Sequence, residues 1–267
     1  MRNRHRPGIA LVTGASGGIG LDMARELARR GFDLALVARK EDQLRAAAEE
    51  LARAHGATCR VLAADLARPE APARLHEWVK GESLEVEILV NNAGFGLHGQ
   101  FTETDPEREL EMLQLNALTL TALTKLFARE MVSRRSGRIL NVASTAAFVP
   151  GPFMAVYYAS KAYVLSLSLA LSEELAGSGV TVTVLCPGPT ETAFGSTAGV
   201  AGTRLFRSGL MNSSAVARAG VEGLLEGRRM VVPGLRNRLL ASTSGLIPRA
   251  FAARIARGLH DPADGRG

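Results

Sequence analysis

Tyr157 and Lys161 stand four residues apart in a stretch, Tyr157 to Ala176, whose apolar period predicts a helix, so their side chains share one face. A free phenol titrates near ~10, too high for a good proton shuttle at neutral pH. A nearby ammonium favours the phenolate and lowers that value, so the pair could exchange protons with a reacting group. Tyr-x-x-x-Lys alone arises often by chance, and two unrelated helix residues are the competing reading. Two polar residues bear on the choice. Ser144 ends the predicted strand Ile139 to Ala143, 13 residues before Tyr157, and Asn116 lies 28 residues before Ser144 inside the predicted helix Asp105 to Arg134.

A second group of residues suits a phosphate. Thr13-Gly14-Ala15-Ser16-Gly17-Gly18-Ile19-Gly20 joins a predicted strand, Ile9 to Thr13, to a helix with Ile19, Met23 and Leu27 at every fourth position. Glycines let the backbone turn tightly and approach a pyrophosphate, whose charge the free N–H groups of the helix N-terminus then hold. Most glycine clusters are plain turns, but this one occupies the first strand–helix junction, where a dinucleotide would sit. The next strand, Leu34 to Ala38, runs into Arg39 and Lys40. A carboxylate there would bind the ribose hydroxyls of NAD and repel a 2′-phosphate. Ala38 removes the acid and Arg39 offers a planar, permanent cation, which predicts NADP(H) over NAD(H). The plainer alternative is that Arg39 only begins an exposed helix.

These residues need a scaffold, and the alternation of elements supplies one. Further strands are predicted at Arg60 to Ala64, Val86 to Val90, Val180 to Leu185 and Arg229 to Val232, and further helices at Glu41 to His55 and Ser214 to Glu226. Gly31 and Gly56 are stop signals, and Asp105-Pro106 is a cap followed by a first turn. Strands alternating with helices imply an α/β fold: a doubly wound, mostly parallel seven-stranded sheet with helices on both faces and ligands at the strands' carboxyl ends. Between Ala159 and Leu175 apolar residues occupy nearly the whole helix circumference. Such a helix is buried on more than one side, by a partner subunit in the preferred reading or by other parts of the chain.

In order and spacing these blocks resemble the short-chain dehydrogenase/reductase family, over roughly Ile9 to Thr192. The carriers are Gly-x-x-x-Gly-x-Gly after Thr13 and the Asn116–Ser144–Tyr157–Lys161 intervals, whose register selects Tyr157 over the adjacent Tyr158. The resemblance implies a Rossmann-type fold and an oxidoreductase acting on a CH–OH/C=O group with a nicotinamide cofactor. Ser144 would position the carbonyl and Tyr157 would donate the proton. Lys161 would tune Tyr157 and bind the nicotinamide ribose, while Asn116 would hold a water linking Lys161 to solvent. Thr13, Gly14, Ser16, Gly18, Ile19 and Gly20 would cradle the cofactor's phosphates. Asp65 and Leu66 would meet the adenine, although Asp65 also reads as a cap. Asn91, Ala93 and Gly94 would brace the sheet and line the adenosine side. Pro187, Gly188, Thr190 and Thr192 would orient the nicotinamide amide and pyrophosphate. Non-catalytic dinucleotide sensors on this fold usually lose the Tyr or the Lys, and both are present here. A membrane-associated lipid reductase would share the chemistry and differ in partner.

Composition narrows the classes. With 267 residues, 46% hydrophobic and 22% charged, the chain has ample core-forming material. No linker divides it, so one domain over residues 1–233 is expected, with a substrate lid at about 188–212 and a basic extension at 234–267. Cys59 and Cys186 form no ligand-spaced cluster, so neither a disulfide framework nor a metal site is expected. Cys186 reads as a packed thiol. The apolar run after the basic start is too short for a signal peptide, and a cytoplasmic setting is expected. Net charge is +6, carried mostly by arginine, and nothing beyond it suggests nucleic acid.

Substrate choice falls to Phe95-Gly96-Leu97-His98-Gly99, to the lid, and to the tail. Phe153, Met154, Phe194 and Phe206 suggest an apolar pocket for a carbonyl or alcohol substrate, or simply core; His98 is a substrate contact or an exposed loop residue. From Gly227 to His260 there are seven arginines and no acid, and Phe251, Ile255 and Leu259 recur at every fourth position. A basic amphipathic helix there can close a pocket, pack on a second subunit of a homodimer or homotetramer, or touch an anionic membrane.

Overall fold

The computed structural model describes residues 8–207 and 209–260; residues 1–7, Ser208 of the predicted lid and residues 261–267 of the predicted extension lie outside it. The elements alternate as the apolar pattern requires. They run β1 (Ile9–Thr13), α1 (Gly18–Arg29), β2 (Asp33–Ala38), α2 (Glu41–His55), β3 (Cys59–Ala63), α3 (Ala71–Gly81), β4 (Val86–Asn91), α4 (Pro106–Leu113) and α5 (Leu120–Ser133). Then follow β5 (Gly137–Val142), α6 (Ala155–Glu174), β6 (Val180–Leu185), the short turns α7 (Phe194–Thr197) and α8 (Arg204–Arg207), α9 (Ser213–Leu225), β7 (Met230–Val231), α10 (Leu235–Thr243) and α11 (Arg249–His260). The strands form one seven-stranded sheet in the order β3-β2-β1-β4-β5-β6-β7. Every pairing is parallel, so the expected doubly wound α/β sheet of seven strands is what the chain forms.

The strands are apolar on both faces because helices cover both. Ala10 and Val12 point to one side, packing with Met23 and Leu27 of α1 and Val221 and Leu224 of α9. Leu11, between them, points to the other, with Leu75 of α3 and Phe127 and Met131 of α5. This is the period-two alternation of a strand, satisfied twice over. The chain order reverses between β1 and β4, which opens a crevice at their carboxyl ends. The residues singled out from sequence follow those ends.

Three departures matter for the site. α3 went unpredicted, although Pro72 in its first turn and buried Leu75 and Val79 four apart are regular helix signals. The helix predicted from Asp105 to Arg134 is continuous, and Asp105 caps it by accepting from the Glu107 N–H at 2.9 Å, but Gln114–Thr119 is wound as a π turn. Such widened turns recur at functional positions, and Asn116 sits in this one. α6 is covered within the chain more than expected: Leu165 and Leu167, like Ala241 of α10, pack against the buried cluster around Val164 and Val184, leaving a narrower exposed stripe that includes Ala155, Ala159, Tyr163 and Leu169.

The glycine turn also has a packing role. A Cβ on Gly20 would overlap the Gly14 carbonyl and the Asn92 amide, so α1 approaches the turn only because residue 20 has no side chain. Gly20→Ala should lower stability by about 1–3 kcal/mol, read from the urea midpoint at constant slope. An unchanged midpoint would contradict this packing.

Candidate functional site

One cleft of about 1040 Å³ runs along the carboxyl ends of the strands. At one end lie Gly14, Ser16, Gly18 and Ile19, with Arg39 at the rim after β2 and Asp65 and Leu66 after β3. Ser144, Tyr157 and Lys161 line the cleft as well, with Pro187, Gly188 and Thr190 after β6, while Thr192 sits against the glycine turn, where a Cβ on Gly18 would meet it at 3.0 Å. Ala93 and Gly94, after β4, line the middle. The structure thus brings most of the sequence-derived residues into one space.

Four others stand one layer behind it. Thr13 is buried, and its hydroxyl donates to the Val90 carbonyl at 3.2 Å and accepts from the Asn92 and Ala93 N–H groups at 3.0 and 3.1 Å. It ties β1 to β4 and fixes the loop that carries Gly94. Asn91 donates to Asn141 at 2.9 Å and to Thr124 at 3.0 Å, bracing β4 against β5 and α5. The bracing role holds for Asn91; the lining role passes to Asn92, whose side chain donates to the Thr13 carbonyl at 3.0 Å and reaches the cleft. Gly20 is consumed in packing α1. Asn116 accepts from the Phe95 N–H at 3.1 Å and donates to the Phe95 carbonyl at 2.9 Å and to Ser160 at 3.2 Å. Its side chain therefore clamps the loop after β4.

The phosphate end fits a dinucleotide. α1 begins at Gly18 without a side-chain cap, so first-turn N–H groups remain for an anion. A Cβ on Gly17 would meet nothing within 4 Å, and Gly14 turns at φ +68°. Asp65 lines the cleft and accepts from the Ala67 N–H at 3.1 Å within a turn, so it caps no helix, α3 beginning only at Ala71.

At the chemical end, Ser144 follows β5 and its hydroxyl accepts from the Ala146 N–H at 3.1 Å. Tyr157 and Lys161 project from the first turns of α6. The Lys161 ammonium donates to the Val142 carbonyl at 2.9 Å and lies 5.8 Å from the centre of the Tyr157 ring. Gly94 leaves room beside it: a Cβ there would come within 2.8 Å of Asn116 Oδ1 and 3.4 Å of Lys161 Nζ. Burial pushes Tyr157 up to about 12, partly offset by a hydrogen bond with Ser144. Burial also pulls Lys161 down to about 8. In the protein alone the Tyr157 value is set by desolvation of the phenolate and by the Ser144 hydroxyl. Cys186 is a packed thiol as read, pushed up to about 12 by burial. Among the described residues no cluster of His, Cys, Asp or Glu could hold a metal.

The substrate side was partly legible. Phe95, Met154, Phe194 and Phe206 line the cleft, and the Phe194 ring lies 5.3 Å from that of Tyr157. The liners that sequence missed include Tyr158, set aside as a competitor of Tyr157, and His260, at the end of α11. His260 thus brings the end of α11 to the cleft. α11 buries Ala252, Ala256 and His260 and leaves Phe251 and Ile255 exposed. His98 does not line the cleft; its ring nitrogen meets the His260 carbonyl at 3.2 Å. The predicted lid is stitched at both ends and packed in the middle. Met211 and Pro189 pair at its base, and Ala198 and Val200 are buried. No described helix is long and apolar enough to cross a membrane.

A family model described as short chain dehydrogenase matches residues 8–199. The chain is 38% identical over 183 residues to 17-beta-hydroxysteroid dehydrogenase type 3 of Mus musculus, a match covering 67% of this chain and 58% of the mouse protein. A solved short-chain dehydrogenase from Sphingobium yanoikuyae in complex with NADPH superposes with TM-score 0.80 at 33% identity, covering 92% of this chain and 99% of that one. The bulky-bulky ketone specific alcohol dehydrogenase from Comamonas testosteroni superposes with TM-score 0.76 at 29% identity, covering 94% and 98%.

The buried ammonium should cost stability. Because the folded value of Lys161 lies below its ordinary 10.5, the folded protein binds fewer protons than the unfolded one between about pH 8 and 10.5. Stability from this group therefore rises across that window. Lys161→Met should stabilise the protein at neutral pH by about 2 kcal/mol, allowing for the lost bond to Val142, and the gain should shrink above pH ~8. Denaturation of both proteins at neutral and alkaline pH checks this; a less stable variant at neutral pH would refute it.

Proposed function

Because the chain belongs to the short-chain dehydrogenase family, we propose that it moves a hydride between NADP(H) and a ketone/secondary-alcohol pair, with Tyr157 exchanging the proton. The observation that carries this reading is the meeting of Tyr157, Ser144 and Lys161 in the same cleft as the glycine turn. The nicotinamide supplies the hydride when bound. The first turn of α1 holds the pyrophosphate by its N–H groups, and Arg39 pairs with the 2′-phosphate. Thr190 and Thr192, which line the same cleft, orient the nicotinamide amide and pyrophosphate. Ser144 donates to the carbonyl oxygen, and Tyr157 gives its proton to the same oxygen as negative charge develops there. Lys161 holds the ribose and, beside Asn116 and Gly94, returns protons to Tyr157.

The acid–base balance favours reduction. A phenol near 12 is protonated at neutral pH, which is the form that donates to a carbonyl. Oxidation needs the phenolate and leans on the Lys161 charge. The substrate is a ketone with a bulky apolar body, since Met154, Phe194 and Phe206 wall the far end of the cleft. Relatives named for a hydroxysteroid and for bulky-bulky ketones support that class. The exposed stripe of α6, with Leu118 and Val132 beside it, supports self-association as a homodimer or homotetramer.

Loss of NADPH absorbance over a panel of acetone, acetophenone, a 17-ketosteroid and a 3-oxoacyl-CoA tests the reading. Turnover should rise with apolar bulk, and Tyr157→Phe should reduce it at least about 100-fold while NADPH still binds. A Tyr157→Phe protein of near-normal activity would end the mechanism. Arg39→Ala should lower the NADPH/NADH preference about tenfold, the value of one charge-assisted bond; a wild type preferring NADH would end the cofactor assignment. Reductive kcat/KM should hold through neutral pH and decline above about 8 as Lys161 loses its charge.

A further inference from the structure

Tyr158 is the next residue after the proposed acid–base tyrosine, yet its hydroxyl turns away from that chemistry. It shares a 2.7 Å hydrogen bond with Nε2 of His260, and the two rings meet edge to face with centroids 5.4 Å apart. Both residues are buried, and both border the cleft that contains Tyr157. A buried phenol hydroxyl and a buried imidazole nitrogen each need a polar partner, and the Tyr158 hydroxyl and Nε2 of His260 meet that need in each other.

The surroundings are shaped for this contact. A Cβ on Gly151 would overlap the Tyr158 ring, so the loop before α6 makes room for it. α11 presents Ala252, Ala256 and His260 to the protein, two small residues that let the helix approach and one polar residue that grips. Nε2 of His98 adds a hydrogen bond to the His260 carbonyl at 3.2 Å, and the Arg257 guanidinium lies 5.5 Å from the centre of the Phe153 ring. Phe153 holds φ +66°, a left-handed conformation that costs a non-glycine residue energy and persists where its surroundings over-determine it. Its carbonyl accepts from Gly99 at 2.9 Å, and the His98 N–H donates to the Ala198 carbonyl at 3.0 Å. The loop after β4, the loop before α6, the lid and α11 thus converge on one polar cluster.

Building on the ketone-reductase reading, we propose that Tyr158 and His260, backed by His98, form a latch that docks α11 as the end wall of the substrate pocket and sets the size of ketone admitted. These are positioning residues, since they act through the placement of α11. Closing the latch shortens the apolar chamber. Opening it lengthens the chamber and leaves the nicotinamide end as it was.

The test compares wild type, Tyr158→Phe, His260→Leu, His260→Gln and the Tyr158→Phe/His260→Leu double variant, with acetophenone and a 17-ketosteroid as probes. Tyr158→Phe removes one oxygen and keeps the ring, so it carries the test should His260→Leu fold poorly. In Tyr158→Phe and His260→Leu, kcat/KM for the bulky over the compact ketone should change about fivefold, the value of one ordinary hydrogen bond, and the change should lie in KM. The double variant should match either single one, because both break the same bond. Amide exchange across residues 249–260 should quicken in both single variants, while His260→Gln, which keeps a hydrogen-bonding group, restores selectivity. NADPH affinity should not move. Unchanged selectivity with unchanged exchange would overturn the latch, as would multiplying effects in the double variant or a fall in kcat at constant KM in Tyr158→Phe. Failure of the reductase reading would be seen in the wild type with the same ketones, whereas failure of the latch would be seen only in the variants.

Discussion

The arrangement depends on one costly act, the burial of an ammonium ion. Lys161 is held by the carbonyl of Val142 at a strand end, inside a cleft that pulls its proton affinity down to about 8. A charge in such a place must be compensated by geometry. The wholly parallel sheet supplies that geometry, because its strand ends all open on the same side and their loops close around one space. Thr13, Asn91 and Asn116 do not enter that space. They fix the loops that shape it, which explains why polar residues lie so deep in an apolar core.

Much of this was legible from residue order. The glycine turn and Ser144 announce themselves because each follows a strand, a short apolar run that a reader can find, and Tyr157 and Lys161 because they share one helix face at a set interval from Ser144. α3 carried ordinary signals and was overlooked. The π turn was not legible, since the apolar period of 106–133 suits either winding, and only the backbone distinguishes them. The proton affinities were only half legible for a physical reason: a neighbouring charge can be read from spacing, but desolvation depends on how much protein covers the group. Tyr158 and His260 lie 102 residues apart, so no local pattern could connect them.

The substrate end shows how a shared scaffold acquires individuality. The glycine turn and strand-end residues belong to the part matched by the family model, residues 8–199. α10 and α11 lie beyond it, and α11 returns to complete the pocket. The apolar residues that sequence spacing grouped on α11 turn outward, and its small residues turn in. An amphipathic pattern reveals that a helix has two faces; it does not say which one a crowded surface will accept.

The widened turn at Gln114–Thr119 has a geometric consequence for everything before it. Each residue of an α-helix advances the direction of its side chain by about 100°, so one residue absorbed into a wider loop of the spiral swings the preceding segment by roughly that angle. Arg108, before the bend, thereby borders the cleft, while Leu123 and Phe127, further along the same rod, look into the sheet. A single helix serves two masters facing different ways, and excising one residue from the bend would force it to abandon one of them.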